Sequence, residues 1–499
     1  MIDLNLIRKI LWGGAPPFPN SIPSRVEELL PEGLTMGTLY LGRQGTGKTS
    51  SLARHLVEYF KAYPGRGIFV LDWSGSITDC ILNLILQTPK EIREKLLKRL
   101  VYDELGNPEW IIPLPEFSEV YGAYEEQVQR VSVNLAKLAP ELVKDAPFLA
   151  GLGLREIAPQ LFRIITAISN NYGETWQVTE AKRLLMDEGL LRRTATIFGY
   201  KVPEAKWFFE RLFLQIKPAE RELRSYALLA LLGAIESREA RARVGFYQPG
   251  WTPKEAIEKG LMVLVNGARL INQRNAQHYL FTQVYSLIMA EINKRQPGNP
   301  ADAPVALVMD EVYSLLSIPG MAEEVGMLSP LYRSRKLELY VVLQALSQLA
   351  PTLKSQIWSI GNVVCFGVSN FDEAFEIAQQ LFCYNPQTVK LPAKTETQQP
   401  VVETDRGQYL RIANNIQRLK HRECIVRRYV SEKVLDRYIL YVEQTKETPM
   451  VESEELVEEL KENLLKERGV RIRDALEVIN QRNITYDEVK TASKKPPQI

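Results

Sequence analysis

Gly42-Arg43-Gln44-Gly45-Thr46-Gly47-Lys48-Thr49 fills every fixed position of the pattern GxxxxGK[ST]. Thr38-Leu39-Tyr40-Leu41 before it reads as a strand, and Ser50 to Val57 after it reads as a helix. Strand, glycine-rich loop and helix are the setting in which this pattern cradles phosphates. The glycines let successive backbone N–H groups surround a triphosphate, and the helix N-terminus adds partial positive charge. Lys48 is placed to reach the β and γ phosphates, and Thr49 to hold Mg²⁺ through its hydroxyl. The candidate nucleotide contacts are therefore Gly42, Gly45, Thr46, Gly47, Lys48, Thr49 and Ser50, with ATP and Mg²⁺ as the expected cofactors.

Outward from the loop, Gly67-Ile68-Phe69-Val70-Leu71-Asp72 is an apolar run ending in an acid. It reads as a buried parallel strand with Asp72 at the sheet edge where ligands of open α/β sheets bind. Val101-Tyr102-Asp103 and Trp110 to Leu114 look like short strands or a hairpin. From Tyr121 to Arg243 strand signals nearly vanish and apolar residues recur at helical spacing. Val128, Val131, Leu135 and Leu138 form one face, and Leu228, Leu231, Leu232 and Ile235 another. Val178 to Arg193 reads as a small helical packing unit.

Strands resume at Leu261 to Val265, Val305 to Met309, Leu339 to Leu343 and Asn362 to Phe366, with helical stretches between them. The expected fold is α/β: a mostly parallel, RecA-like sheet with helices on both faces, an inserted all-α domain and a helical C-terminal tail. The expected divisions are 1–115, 116–250, 251–445 and 446–499. The first and third form the ATPase domain. In the last, Leu456, Leu460 and Leu464 share a face, Gly469 breaks the helix, and the end from Lys494 is expected to be disordered.

With 499 residues the chain exceeds one compact core. A net charge of +2 restricts any nucleic-acid surface to local patches. Cys80, Cys365, Cys383 and Cys424 are too scattered for a zinc site or a disulfide framework, and only three histidines argue against a metal hydrolase. No segment reaches the roughly 18 apolar residues of a membrane span, and Met1 to Trp12 reads as a short amphipathic helix rather than a signal peptide. The expected location is cytoplasmic, or peripheral at a membrane through partners.

A second motif is Asp310-Glu311 after an apolar strand. A triphosphatase needs a carboxylate near Mg²⁺ and a base to orient water; Asp310 and Glu311 suit these roles. Alone, the pair would read as a strand end before a capped helix; beside the phosphate loop it points to hydrolysis. Gln344 ends a later strand and can report loss of the γ phosphate. Arg333 and Arg335 precede that strand, and either could reach a neighbouring subunit's phosphate or simply be solvated.

GRQGTGKT, the strand ending in Asp72, the helical insertion, VALVMDE and RSRKLELYVVLQALSQL together resemble the HerA/FtsK superfamily of DNA-pumping ATPases. The likeness spans Leu34 to Val430 and is nearest to the conjugative coupling proteins of type IV secretion. It implies a homo-oligomeric ring, a hexamer in that family, with ATP between subunits and DNA in the channel. It places Lys48, Thr49, Asp310, Glu311 and Gln344 in the nucleotide site, with Arg333 or Arg335 supplied by a neighbour. Coupling proteins commonly carry N-terminal membrane helices, which this sequence lacks. HerA-type members often have an acid shortly after the second strand, where Trp73-Ser74-Gly75-Ser76 stands here.

The resemblance also implies a relaxase, nuclease or secretion-channel partner. Arg269 and Arg274, the run Arg411, Arg418, Lys420, Arg422, Arg427 and Arg428, and Arg238, Arg241 and Arg243 are candidate DNA contacts, each with a solvated surface as the alternative. The alternative functions are a motor for viral genome packaging or an anti-phage nuclease complex, and a DNA-independent secretion or assembly ATPase.

Overall fold

The computed structural model describes residues 37–142, 153–172, 176–382, 389–391, 401–402, 404–432, 435–445 and 454–492. The expectations for Met1 to Trp12, for Cys383 and for the segment from Lys494 lie outside these residues.

The strands are β1 (Thr38–Leu41), β2 (Gly67–Asp72), β3 (Leu100–Glu104), β4 (Trp110–Ile111), β5 (Met262–Asn266), β6 (Val305–Met309), β7 (Leu337–Leu343), β8 (Asn362–Phe366), β9 (Val389–Leu391), β10 (Val401–Val402), β11 (Glu423–Glu432), β12 (Leu435–Gln444) and β13 (Val470–Arg471). Nine of them form one sheet in the order β12-β11-β8-β1-β7-β6-β2-β5-β3. From β8 to β3 every pairing is parallel; β11 pairs antiparallel with both β8 and β12. Every residue of β1, β2, β3 and β5 to β8 is buried, as a sheet covered on both faces requires. This is the expected RecA-like α/β architecture.

Between β4 and β5 the described residues carry helices and no strand. The apolar faces read from the sequence are inward: Val128, Val131, Leu135 and Leu138 on the helix Tyr124–Leu142, and Leu228, Leu231 and Leu232 on Pro218–Gly233, are at most 2% exposed. Their core is continuous with that of the sheet. The Val178 to Arg193 unit is broken at Asp187, whose carboxylate accepts the N–H of Leu190 and starts a new helix, Glu188–Phe198.

The structure decides between short strands and a hairpin. The Val101 and Trp110 stretches do not form a hairpin: β3 is the edge of the large sheet, whereas β4 pairs antiparallel with β13 of the C-terminal tail. The tail is accordingly docked. Its helix Glu454–Arg468 lies beside β3, and Lys461 Nζ meets Asp79 Oδ1 at 2.8 Å. The buried stripe is Val457, Lys461, Leu464 and Leu465, while Leu456 is 47% exposed. An i, i+4, i+8 row drifts round a helix of 3.6 residues per turn, so the Leu456-Leu460-Leu464 row leaves the contact at one end.

Candidate nucleotide site

Parallel strands send their C-terminal ends to one edge of the sheet, where loops can assemble a site. The loop after β1 runs from Gly42 into the helix Lys48–Ala62. Gly42 packs so closely on β8 that a Cβ would fall 2.7 Å from the Phe366 Cβ. Gly47 sits in the left-handed region at φ 103° as the helix N-cap. Thr46 Oγ1 closes the loop on the Arg43 carbonyl at 2.8 Å. The helix has no capping side chain and no acid in its first turn. Its terminal N–H groups and partial positive charge are thus left for an anion.

Lys48 is buried, and its ammonium donates to the carbonyls of Gly42 at 2.5 Å and Arg43 at 2.9 Å. Burial lowers its pKa to about 8, against the upward pull of Asp310 and Glu311. Burial leaves this cation poorly solvated, a setting in which added negative charge such as a phosphate's stabilises it. Thr49 and Ser50 are half-buried at the start of the helix.

Asp310 follows β6, fixed by its N–H to the Leu71 carbonyl at 3.0 Å, and is 2% exposed. Burial raises its pKa to about 7, reinforced by the negative charges of Asp72 and Glu311. Glu311 is half-buried and left-handed at φ 47°, an uncommon conformation for a residue with a side chain. Such strained positions concentrate at functional sites. Gln344 follows β7, which lies between β1 and β6. Gly42 N–H bonds the Leu343 carbonyl, so Gln344 leaves the sheet between the phosphate loop and the Asp310 tip.

A hydroxyl from Thr49 and a carboxylate from Asp310 are hard oxygen donors, the kind that would suit Mg²⁺. Among the described residues no cluster of three or more His, Cys, Asp or Glu could hold a metal by itself.

Other sequence candidates are placed differently. Asp72 is fully buried and caps the helix Ser76–Leu86, accepting N–H groups from Gly75 and Thr78 at 2.8 Å each. Burial pushes its carboxyl pKa up. The Arg335 guanidinium donates to the Asn293 carbonyl in its own chain; the Arg333 side chain lies outside the described residues.

Two of the arginines read as DNA contacts turn inward. Arg243 is 2% exposed and clamps Asp103 with bonds of 2.6 and 2.8 Å. Arg427 is buried, donating to the Gln380 and Ile360 carbonyls. Arg422 stands behind the phosphate loop: its N–H meets the Thr46 carbonyl at 3.1 Å and its own carbonyl accepts from Thr445. Arg269 by contrast is exposed, and its guanidinium pairs with Glu104 at 3.0 Å.

Sequence reading missed Ser76, which touches Asp310, and Glu373, whose carboxylate accepts the Leu346 N–H just beyond Gln344. The Asp-x-Ser-Gly-Ser run from Asp72 to Ser76 is a turn-and-cap pattern that could have exposed the first. Glu373 has no local signal.

Among the described residues no helix is long and apolar enough to cross a membrane. No family model and no curated protein matches the chain. Solved structures do. The bacterial conjugative coupling protein TrwBdeltaN70 in its unbound monoclinic form superposes with a TM-score of 0.53 at 14% identity, over 83% of this chain and 85% of that one. Its trigonal form with sulphate gives 0.54 at 14% identity over 84% and 87%, and the plasmid coupling protein TrwB with ADP and Mg²⁺ gives 0.53 at 14% identity over 85% and 89%. Over the matched 83–85% of its length, the fold of this chain is like that of these coupling-protein structures.

Proposed function

We propose that this chain hydrolyses ATP with Mg²⁺ and uses the energy to move DNA through a homo-oligomeric, six-membered ring in conjugative or mobile-element transfer. The observation that carries the reading is the strand order β1-β7-β6. It sets three chemically different groups at neighbouring strand tips: the phosphate loop, the Gln344 amide and the Asp310–Glu311 pair. The coupling-protein fold, known in a complex with ADP and Mg²⁺ for TrwB, supports it.

In this reading the uncapped helix end and the loop N–H groups bind the β phosphate. Lys48 exchanges its two carbonyl partners for phosphate oxygens, a gain of charge-assisted bonds. Thr49 and Asp310 would hold Mg²⁺, which neutralises charge on the phosphates. Glu311 orients the attacking water and accepts its proton. Gln344, without a charge of its own, bonds differently to a bound γ phosphate than to a departed one. Because it is tied to Gly42 through Leu343, it passes that difference to β7. An arginine from the next subunit completes the charge compensation.

The test is ATP turnover with and without DNA across a salt series. DNA is expected to stimulate turnover, and stimulation is expected to fall with salt as phosphate contacts are screened. Lys48→Ala loses nucleotide binding; Glu311→Gln retains binding and loses turnover by roughly 10²- to 10⁴-fold, the usual worth of a general base. A turnover rate indifferent to DNA at low salt would remove the translocase reading and favour a secretion or assembly ATPase. Normal turnover in Glu311→Gln would remove the assignment of the base.

A further inference from the structure

The turn between β2 and the helix Ser76–Leu86 lies against Asp310. Its sequence, Asp72-Trp73-Ser74-Gly75-Ser76, contains no acid beyond Asp72. Asp72 is spent on the turn itself: Oδ1 accepts the N–H of Gly75 at 2.8 Å and of Ser74 at 3.2 Å, while Oδ2 accepts that of Thr78 at 2.8 Å. Gly75 is left-handed at φ 82°, and a Cβ there would fall 3.0 Å from Asn266 Oδ1. The turn is therefore held on both sides.

From it Ser76 Oγ donates to Asp310 Oδ2 at 3.3 Å and lies 2.9 Å from Ser74 Oγ. The other oxygen, Asp310 Oδ1, accepts the N–H of Glu311 at 3.0 Å. Because β2 and β6 are adjacent and in register, this bond bridges two neighbouring strand tips. Both carboxylate oxygens are thus tethered, one to the chain's own next residue and one to Ser76. With only the Glu311 bond the carboxylate plane could turn about χ2, a broad torsion for aspartate.

We propose that Ser76 is a positioning residue for Asp310, fixing the carboxylate plane so that it can hold the Mg²⁺ of a bound nucleotide without reorganising. The inference rests on the nucleotide-site reading and adds to it the residue that holds the metal-facing acid. Partners of this outer kind typically set metal affinity by roughly 10- to 100-fold.

The experiment is a Mg²⁺ titration of the full chain with a fluorescent non-hydrolysable ATP analogue, read by anisotropy, beside a titration of the analogue in EDTA. Ser76→Ala is expected to raise the Mg²⁺ concentration at half-maximal binding by roughly tenfold and to leave binding in EDTA unchanged. Ser76→Thr, which keeps the hydroxyl, is expected to restore the wild-type curve. In an Asp310→Asn background Ser76→Ala adds nothing further, because the two act through one contact. A Ser76→Ala curve that superimposes on the wild type, an equal loss in EDTA, or an additive loss with Asp310→Asn overturns the proposal while leaving the nucleotide site in place. Failure of the unaltered chain to bind the analogue with Mg²⁺ overturns the site reading and this one with it. Should Ser76→Ala not fold, Ser76→Cys is of similar size, donates weakly and carries the same expectation.

Discussion

Gly42, the first residue of the phosphate loop, donates its N–H to the carbonyl of Leu343 at 3.3 Å. Gln344 follows directly and is half-buried. Two residues on, the N–H of Leu346 is held by the Glu373 carboxylate. The Gln344 segment is thus anchored on both sides, to the glycine-rich loop and to the helix Phe371–Leu381.

Gln344→Ala is expected to leave nucleotide affinity within about twofold, since a single neutral hydrogen bond is worth about 1 kcal/mol or less net. Stimulation of turnover by DNA is expected to be lost. Equilibrium binding of an ATP analogue and DNA-dependent turnover separate the two effects; retained stimulation counts against a reporting role for this amide.

The two arginines before β7 are expected to differ in role. Arg335 is engaged with Asn293 of its own chain, so Arg335→Ala is expected to lower the unfolding midpoint with turnover per folded molecule preserved. Arg333→Ala is expected to lower turnover by roughly 10³-fold, the low end for a charge-compensating arginine supplied by a neighbour. Mixing it with a Glu311→Gln chain should restore part of the rate, because an intact site can form between the two; no recovery on mixing would place the arginine's action within one chain.

Arg243 is a fold residue. Its guanidinium meets Asp103 and the Ile112 carbonyl, and Trp251 Nε1 donates to the same carboxylate at 3.0 Å. Arg243→Ala leaves the Asp103 carboxyl group buried without its ion-pair partner, which should cost about 3–5 kcal/mol of stability. Denaturant unfolding measures this. DNA affinity of the remaining folded fraction should match the wild type; a selective loss of DNA binding at unchanged stability would restore the surface role.

Glu338 on β7 is 4% exposed and accepts from Tyr59 Oη at 2.6 Å. Burial raises its pKa to about 7, although Tyr59 and Arg66 pull the other way. The folded state therefore keeps a proton that the unfolded chain releases near pH 4.5. Its stabilising contribution is complete below the unfolded pKa and is lost as pH rises through about 7. Glu338→Gln should flatten the fall in stability between pH 5 and pH 8 by on the order of 1–3 kcal/mol. Urea midpoints at both pH values are the measurement, and identical slopes in the two proteins would mean Glu338 is ionised in the fold.

Much of the site is visible in the chain because its parts are local. The phosphate loop needs only its own glycines, the strand before it and the helix after it. Asp310-Glu311 needs only the apolar run that precedes it. The helical periodicity from Val128 to Leu232 needs only the spacing of its apolar residues, and it predicts the buried faces residue by residue. The amino-acid sequence alone therefore determined the α/β class, the helical insertion, the glycine-rich loop between strand and helix, and the acid pair at a strand tip.

The tertiary structure decided everything that depends on which strands are neighbours. Putting β7 between β1 and β6 brought Gln344 to the phosphate loop across some three hundred residues of chain. Pairing β2 with β6 brought Ser76 to Asp310 and left Asp72 as a cap. Charge pattern could not tell Arg243 from Arg241, because burial depends on whether a partner such as Asp103 waits inside the fold. A local motif carries its own geometry in its backbone preferences. A long-range contact acquires one only when the sheet order is set, and that order is a property of the packed whole.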